Sequence, residues 1–302
     1  MENRKARATI VLLALALAGC GAGRAVREGE RAEQAALTIQ NTGSDTLVNL
    51  ALAWAEAYMR LHPDVRISVT GGGSGTGIAS LLNGTIQIAN ASREMSKEEI
   101  GEAAAKGFTP VMLTVALDAI AVVANPSNPV DALTLQQISD IYTGKLSRWS
   151  DVGGEDRPIV LLSRESNSGT YVYFLEQVLR LGQKKSTALF SSETLLMPSS
   201  EGISVEVRQN PNAIGYDGLG YVTPDQKVLA VARDAAAPDA VAPAVLPSAA
   251  TVSDGTYPIS RPLFMYTAGE PSGAVGEYLA WIVGEGQALV QELGFVPLGR
   301  DK

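Results

Sequence analysis

The chain has 302 residues, 46% of them hydrophobic and 19% charged, with a formal net charge of −8. That length accommodates two ordinary domains or one large one, and the balance excludes both a disordered chain and a polytopic membrane protein. Net acidity without a basic cluster argues against a nucleic-acid surface, yet leaves room for an anion held by buried N–H and O–H donors. Arg4, Lys5 and Arg7 precede the apolar run ATIVLLALALAG, and Cys20 follows it. A basic start, a short apolar run and small residues read as a secretory signal over 1–19, the run being too short for a comfortable membrane span. Cys20 is the only cysteine, which rules out an intrachain disulfide and a cysteine metal site.

The segment 20–36 is small and charged and reads as a tether. From Leu37 strands and helices alternate. LTIQ is a short strand and NTGSDT a turn. Leu47, Leu50, Trp54, Tyr58 and Leu61 then recur at helical spacing until Pro63. VRISV is a strand, followed by the glycine-rich TGGGSGTG and the helix IASLLNG. IQIANASRE is a strand running into a loop, and Ser96 with Glu99 forms a capping box for the next helix. FTPVMLTVALDAIAVVANP is too long for one strand and is expected to cross between lobes. Thr134 caps the helix that Gly144 closes. RPIVLLS is a strand, RESNSGT a loop and YVYFLEQVLRLG a helix. A helix end, turn and strand follow in VEVRQNPNAIGYDGLGYV. Residues 230–250 read as a surface connection, YPISRPLFMYT as a strand, and VGEYLAWIVGEGQALVQELG as closing helices. Such alternation predicts an α/β protein with mostly parallel sheets.

One small pattern occurs three times: TGSDT (Thr42–Thr46), GGSGT (Gly72–Thr76) and SNSGT (Ser166–Thr170). Each follows a predicted strand and opens a predicted helix. Serine is a good helix N-cap, and capping alone would explain any one copy. Three copies have a second reading. The first N–H groups of a helix lack internal partners and lie at the positive end of its dipole, so Ser44, Ser74 and Ser168 could converge on one oxyanion beyond the carboxyl ends of parallel strands. Arg164, on the third loop, and Arg93, after the strand ending in NASRE, are candidate guanidinium clamps. Asp45 is either a helix cap or an acceptor for the proton of a protonated oxyanion, which sulfate could not satisfy.

Rival chemistries lack their residues. Isoleucine follows Gly77 where a P-loop needs lysine, and the glycine spacing misses the dinucleotide fingerprint. The only histidine, His62, lies in the turn LHPD, and no His/Cys cluster offers a zinc site. No metal and no cofactor are expected.

NTGSDTL, HPDVRISVTGGGSGTGIASLLNGTIQIANASREM, LDAIAVVANPSNPV, LTLQQISDIYTGKLSRWSDVGGEDRPIVLLSRESNSGT and NAIGYDGLGYV, in this order, resemble the phosphate-binding receptors of bacterial ABC transporters, the PstS-like family. LAGC (Leu17–Cys20) resembles the bacterial lipobox, whose cysteine is lipidated. The resemblance implies an α/β type II periplasmic-binding-protein fold, with two lobes joined by two hinge segments. Lobe I would comprise 37–115 plus 223–302 and lobe II 116–222. It implies phosphate contacts from Ser44, Asp45, Thr46, Ser74, Gly75, Arg164, Ser168, Gly169 and Thr170. Several family members hold an aspartate where this chain has Arg93, while others read Ala-Ser-Arg as here; Gln87 is a second departure. SRWSDVGG is expected on the surface of lobe II. The implied protein is a monomeric, non-enzymatic, extracytoplasmic lipoprotein delivering inorganic phosphate to an ABC permease and ATPase, with no nucleic-acid partner. A receptor for sulfate or molybdate, a sensor, and a phosphoester hydrolase stay open as alternatives.

Overall fold

The computed structural model describes residues 37–233 and 243–299. The predicted signal and tether lie outside them, as do part of the 230–250 connection and Cys20. The described chain builds β1 (Leu37–Gly43), α1 (Asp45–Leu61), β2 (Val65–Thr70), α2 (Ser74–Leu82), β3 (Ile88–Ala91), α3 (Lys97–Ala105), β4 (Val111–Ala124), β5 (Ala132–Thr134) and α4 (Leu135–Tyr142). It continues with β6 (Val160–Arg164), α5 (Gly169–Phe174), β7 (Leu195–Met197), α6 (Ser200–Gln209), β8 (Ala213–Gly218), β9 (Lys227–Ala232), α7 (Ala249–Ser253), β10 (Ser260–Thr267), α8 (Gly273–Val283) and α9 (Gln287–Glu292).

The strand order is β2-β1-β3-β10-β4-β8-β6-β7, with β9 also on β4 and β5 on β9. The sheet is mixed rather than mostly parallel. β2, β1 and β3 run parallel, as do β8, β6 and β7, but β10 is antiparallel to both β3 and β4, and β4 to β8 and β9. The predicted break in the long apolar run is absent: β4 is one strand of 14 residues. Its length is used by a change of partner. Val111–Ala119 pairs with β10 and Ile120–Ala124 with β8. Both faces of its second half are covered, Ile120 and Val122 by one cluster and Ala121 and Val123 by another beneath α6, so the run reads as continuously apolar rather than alternating.

Two large cores result. Around the first half of β4, Leu47, Leu50, Trp54 and Tyr58 of α1 meet Tyr278 and Ile282 of α8. The Trp54 Nε1–H donates to Gly286 O at 2.8 Å, so the buried indole leaves no unpaired donor. Around the second half, Tyr142, Phe174 and Tyr216 pack with Trp149. SRWSDVGG is therefore not a surface loop at its tryptophan: Trp149 is fully buried and its Nε1–H donates to Asn212 O at 3.0 Å. The predicted capping box Ser96/Glu99 forms, and the predicted cap Thr134 proves to be half of a second box with Gln137.

Candidate functional site

β1 does not turn at NTGSDT but stays extended to Gly43, and α1 begins two residues later at Asp45. β1, β2, β3 and β6 are parallel within their groups. Their carboxyl ends therefore deliver Ser44, the glycine loop, Ser92 and Arg164, where ligands of α/β sheets are held. The glycines permit the close approach. A Cβ on Gly77 would lie 2.5 Å from Thr42 O and 2.6 Å from Gly43 Cα, so only glycine lets α2 sit against the end of β1.

The three serines differ in what they do. Ser168 is a true cap, accepting the N–H groups of Thr170 and Tyr171. Ser44 occupies the cap position of α1 without a capping bond. Ser74 is the first residue of α2, after Gly73, and its Oγ accepts the Ser92 N–H at 3.0 Å. All three are buried.

The structure brings nine of the predicted residues together. Thr46 and Thr170 hydroxyls are 3.0 Å apart, although 124 positions separate them in sequence. The Gly75 N–H donates to Asn167 O at 2.9 Å, and Gly169 packs on Ser74 and Ser92. Arg164, 1% exposed, donates through Nη2 to Asp45 Oδ2 at 2.7 Å and to Pro198 O, through Nη1 to Ser200 Oγ at 2.9 Å, and through Nε to Met197 O. Asp45 also accepts the Gly72 N–H at 3.0 Å through Oδ1, and its carbonyl accepts the Tyr221 hydroxyl at 2.6 Å. Asp45 is thus a bridge between the first and third loops rather than a plain cap.

Arg93 goes elsewhere. Glu99 sits one turn into α3 and takes it in a bidentate pair, Nη1 to Oε2 at 2.8 Å and Nη2 to Oε1 at 2.7 Å. Partial burial works against ionisation of Glu99, but Arg93 and the Ser96 N–H hold its carboxyl below the ordinary value. Arg93 lines a neighbouring cavity of about 560 Å³ with Glu94, Tyr173, Glu176 and Arg261.

The second guanidinium of the cluster is Arg261 of β10. Its Nη1 donates to Ser92 O at 3.0 Å, and its Nη2 to Thr170 Oγ1 at 2.9 Å and Thr46 Oγ1 at 3.3 Å. It pairs with Asp118 of β4 at 3.1 Å, both side chains being essentially unexposed. Burial raises the Asp118 carboxyl, against the pull of Arg261 and the Leu219 N–H. Asp217 of β8 is also buried, its carboxyl pushed up to about 7 by burial against the pull of Ser200 and Arg164. Sequence reasoning missed Arg261, Asp118, Asp217 and Ser200. A signal existed: Asp118 and Arg261 are lone opposite charges inside two apolar strands, and buried charges are paired.

The arrangement offers helix N-termini, hydroxyls and a guanidinium around one point between two halves of the sheet. That suits a small, partly protonated oxyanion. Among the described residues no group of three His, Cys, Asp or Glu could hold a metal, and no helix is long and apolar enough to cross a membrane.

Comparison with known proteins gives the same direction. Residues 29–285 match the family model of the PBP superfamily domain. The phosphate-binding protein PstS of Pseudomonas aeruginosa is 32% identical over 319 residues, 97% of this chain and 95% of that protein. The phosphate-binding protein PstS of Bacillus subtilis is 32% identical over 273 residues, 90% and 83% of the two. A Clostridium perfringens structure with bound phosphate, described as a phosphate ABC transporter substrate-binding protein, superposes with a TM-score of 0.76 at 31% identity. It covers 87% of this chain and 100% of that one.

Proposed function

The chain belongs to the PstS family of the PBP superfamily, with its type II binding-protein fold, and from that premise we propose that it captures inorganic phosphate for an ABC importer. The observation that carries this reading is the convergence of Ser44, Asp45, Thr46, Ser74, Gly75, Arg164, Ser168, Gly169 and Thr170, all buried but the half-buried Asp45 and Gly75. The starts of α1, α2 and α5 supply N–H donors and aligned dipoles, and Arg164 supplies a charge-assisted donor. Anion capture then needs no net positive protein.

The steps are physical. Phosphate enters between the halves, the groups of α1 and α2 engage one side and those of α5 and Arg164 the other, and the halves close by hinge motion. The change of partner within β4, from β10 to β8, supports a lobe boundary inside that strand. Asp45 accepts the ligand's hydroxyl proton with the carboxylate now shared by Arg164 and the Gly72 N–H, which discriminates against sulfate. The protein works as an extracytoplasmic lipoprotein, tethered through Cys20 and acting as a monomer. Acyl labelling that is lost in Cys20→Ser checks the tether.

Isothermal titration with phosphate and with sulfate tests the ligand. Phosphate is expected to bind and sulfate not. Tight sulfate binding without phosphate binding would transfer the site to another oxyanion.

A further inference from the structure

Asp217 is the one buried carboxylate of this cluster that no guanidinium pairs directly. Its Oδ1 accepts the Gly218 N–H at 2.9 Å. Its Oδ2 is buried without a hydrogen-bond partner. The Ser200 hydroxyl lies beside the carboxyl and Arg164 is close enough to act on it electrostatically. Ser200 Oγ in turn accepts Arg164 Nη1–H at 2.9 Å. A hydroxyl has one donor and two acceptor sites, so Ser200 is able to accept from Arg164 while donating to an ionised Asp217.

The local charge balance makes this consequential. Arg164 and Arg261 face Asp45, Asp118 and Asp217. With all three carboxylates ionised, the cluster is net negative before any anion arrives. Asp45 is tied to Arg164 at 2.7 Å and Asp118 to Arg261 at 3.1 Å, whereas Asp217 has no guanidinium partner. The other groups around it do not substitute. Tyr221, near Asp217 and Asp45, is held neutral by burial. On α6, Glu201 and Arg208 lie 4.0 Å apart, Arg208 also meets Asp225, and Glu206 accepts from Asn210.

We propose that Asp217 is a positioning residue of the anion site, holding Arg164 through the Ser200 hydroxyl and taking up a proton when the oxyanion enters. Resting on the phosphate reading above, this adds a linkage to it: one buried negative charge is exchanged for another. The raised carboxyl, at about 7, puts the exchange where it can be measured.

The test is calorimetric titration with inorganic phosphate at about pH 8, where the free ligand is mostly dianionic, in buffers of different ionisation enthalpy. Wild type is expected to take up most of one proton on binding, and D217N none. Wild-type affinity then falls by up to about tenfold per pH unit above the midpoint, while that of D217N is nearly flat. A merely structural role would shift D217N affinity uniformly and leave the proton count alone. Equal proton counts in the two proteins overturn the inference while leaving phosphate capture intact. If D217N does not fold, the wild-type count decides, and zero uptake overturns it. Absence of phosphate binding to wild type removes the receptor reading and this inference together.

Discussion

Gly169→Ala tests whether the starts of α2 and α5 must touch for the anion to be held. A Cβ at Gly169 would lie 2.5 Å from Ser92 Oγ, closer still to Ser74 Oγ, and 3.1 Å from Ser74 Cβ. Both residues are buried, and Ser74 Oγ is committed to the Ser92 N–H at 3.0 Å. The start of α5 must therefore retreat from α2 and β3 by a few tenths of an ångström. That motion strains the Thr46–Thr170 contact at 3.0 Å, the Arg261–Thr170 bond at 2.9 Å and the Gly75–Asn167 bond at 2.9 Å. Overpacking of this kind costs about 1–3 kcal/mol. Because α2 and α5 belong to different halves of the sheet, separating the halves relieves the strain. The cost should fall on ligand-bound closure, giving about a 5- to 150-fold loss of phosphate affinity. Calorimetric titration measures it, with a melting curve without ligand as the control. Undiminished affinity in a protein confirmed to carry the substitution would refute the reasoning, because α5 and α2 would then not need this approach to hold the anion.

Gly77→Ala should behave differently, since its Cβ would meet Thr42 O and Gly43 Cα, backbone that cannot give. A loss of about 1–3 kcal/mol of stability is expected in denaturant unfolding. Arg164→Ala removes a buried charge with four donor contacts and leaves Asp45 without its cation. Phosphate affinity should fall by about 2–5 kcal/mol in calorimetric titration, and lysine should restore little of it, lacking the planar fork. Asp45→Asn should narrow the phosphate-to-sulfate affinity ratio, and an unchanged ratio would assign Asp45 to bridging alone. The Asp217 carboxyl keeps its proton to about pH 7 when folded, against an ordinary value of 3.8. The folded state therefore binds more protons across that window, and this group's contribution to stability is lost as pH rises through it. Asp217→Asn lacks the loss, so its stability relative to wild type should grow by at most about 4 kcal/mol between about pH 4 and pH 7, measured by urea unfolding.

Local chemistry made much of the molecule readable from residues alone. Helix α1 follows from the spacing of Leu47, Leu50, Trp54 and Tyr58 and from Pro63. A capping box follows from Ser96 with Glu99, and a helix cap from Thr134. These signals act over three or four residues, within reach of one strand of text. The three Ser-x-Thr loops were visible for the same reason, as was Arg164 beside one of them. What each serine does was not visible, because a capping hydroxyl and a ligand-facing one carry the same residue type.

Pairing across the chain was decided only in three dimensions. Arg93 and Arg261 are equally plausible clamps by type, but Glu99, six residues on in the first turn of α3, captures Arg93, while β10 runs beside β3 and β4 and carries Arg261 to Ser92, Asp118, Thr46 and Thr170. Trp149 reads as a loop residue until Asn212 and the surrounding core enclose it. The unbroken apolar run of β4 is ambiguous locally, since burial on both faces erases the alternation that marks a strand. The sequence by itself determined the helix starts, their donors and the chemistry of the ligand they suit. The tertiary structure decided which charges pair with one another and which converge at the helix starts, because that depends on strands more than a hundred residues apart being brought side by side.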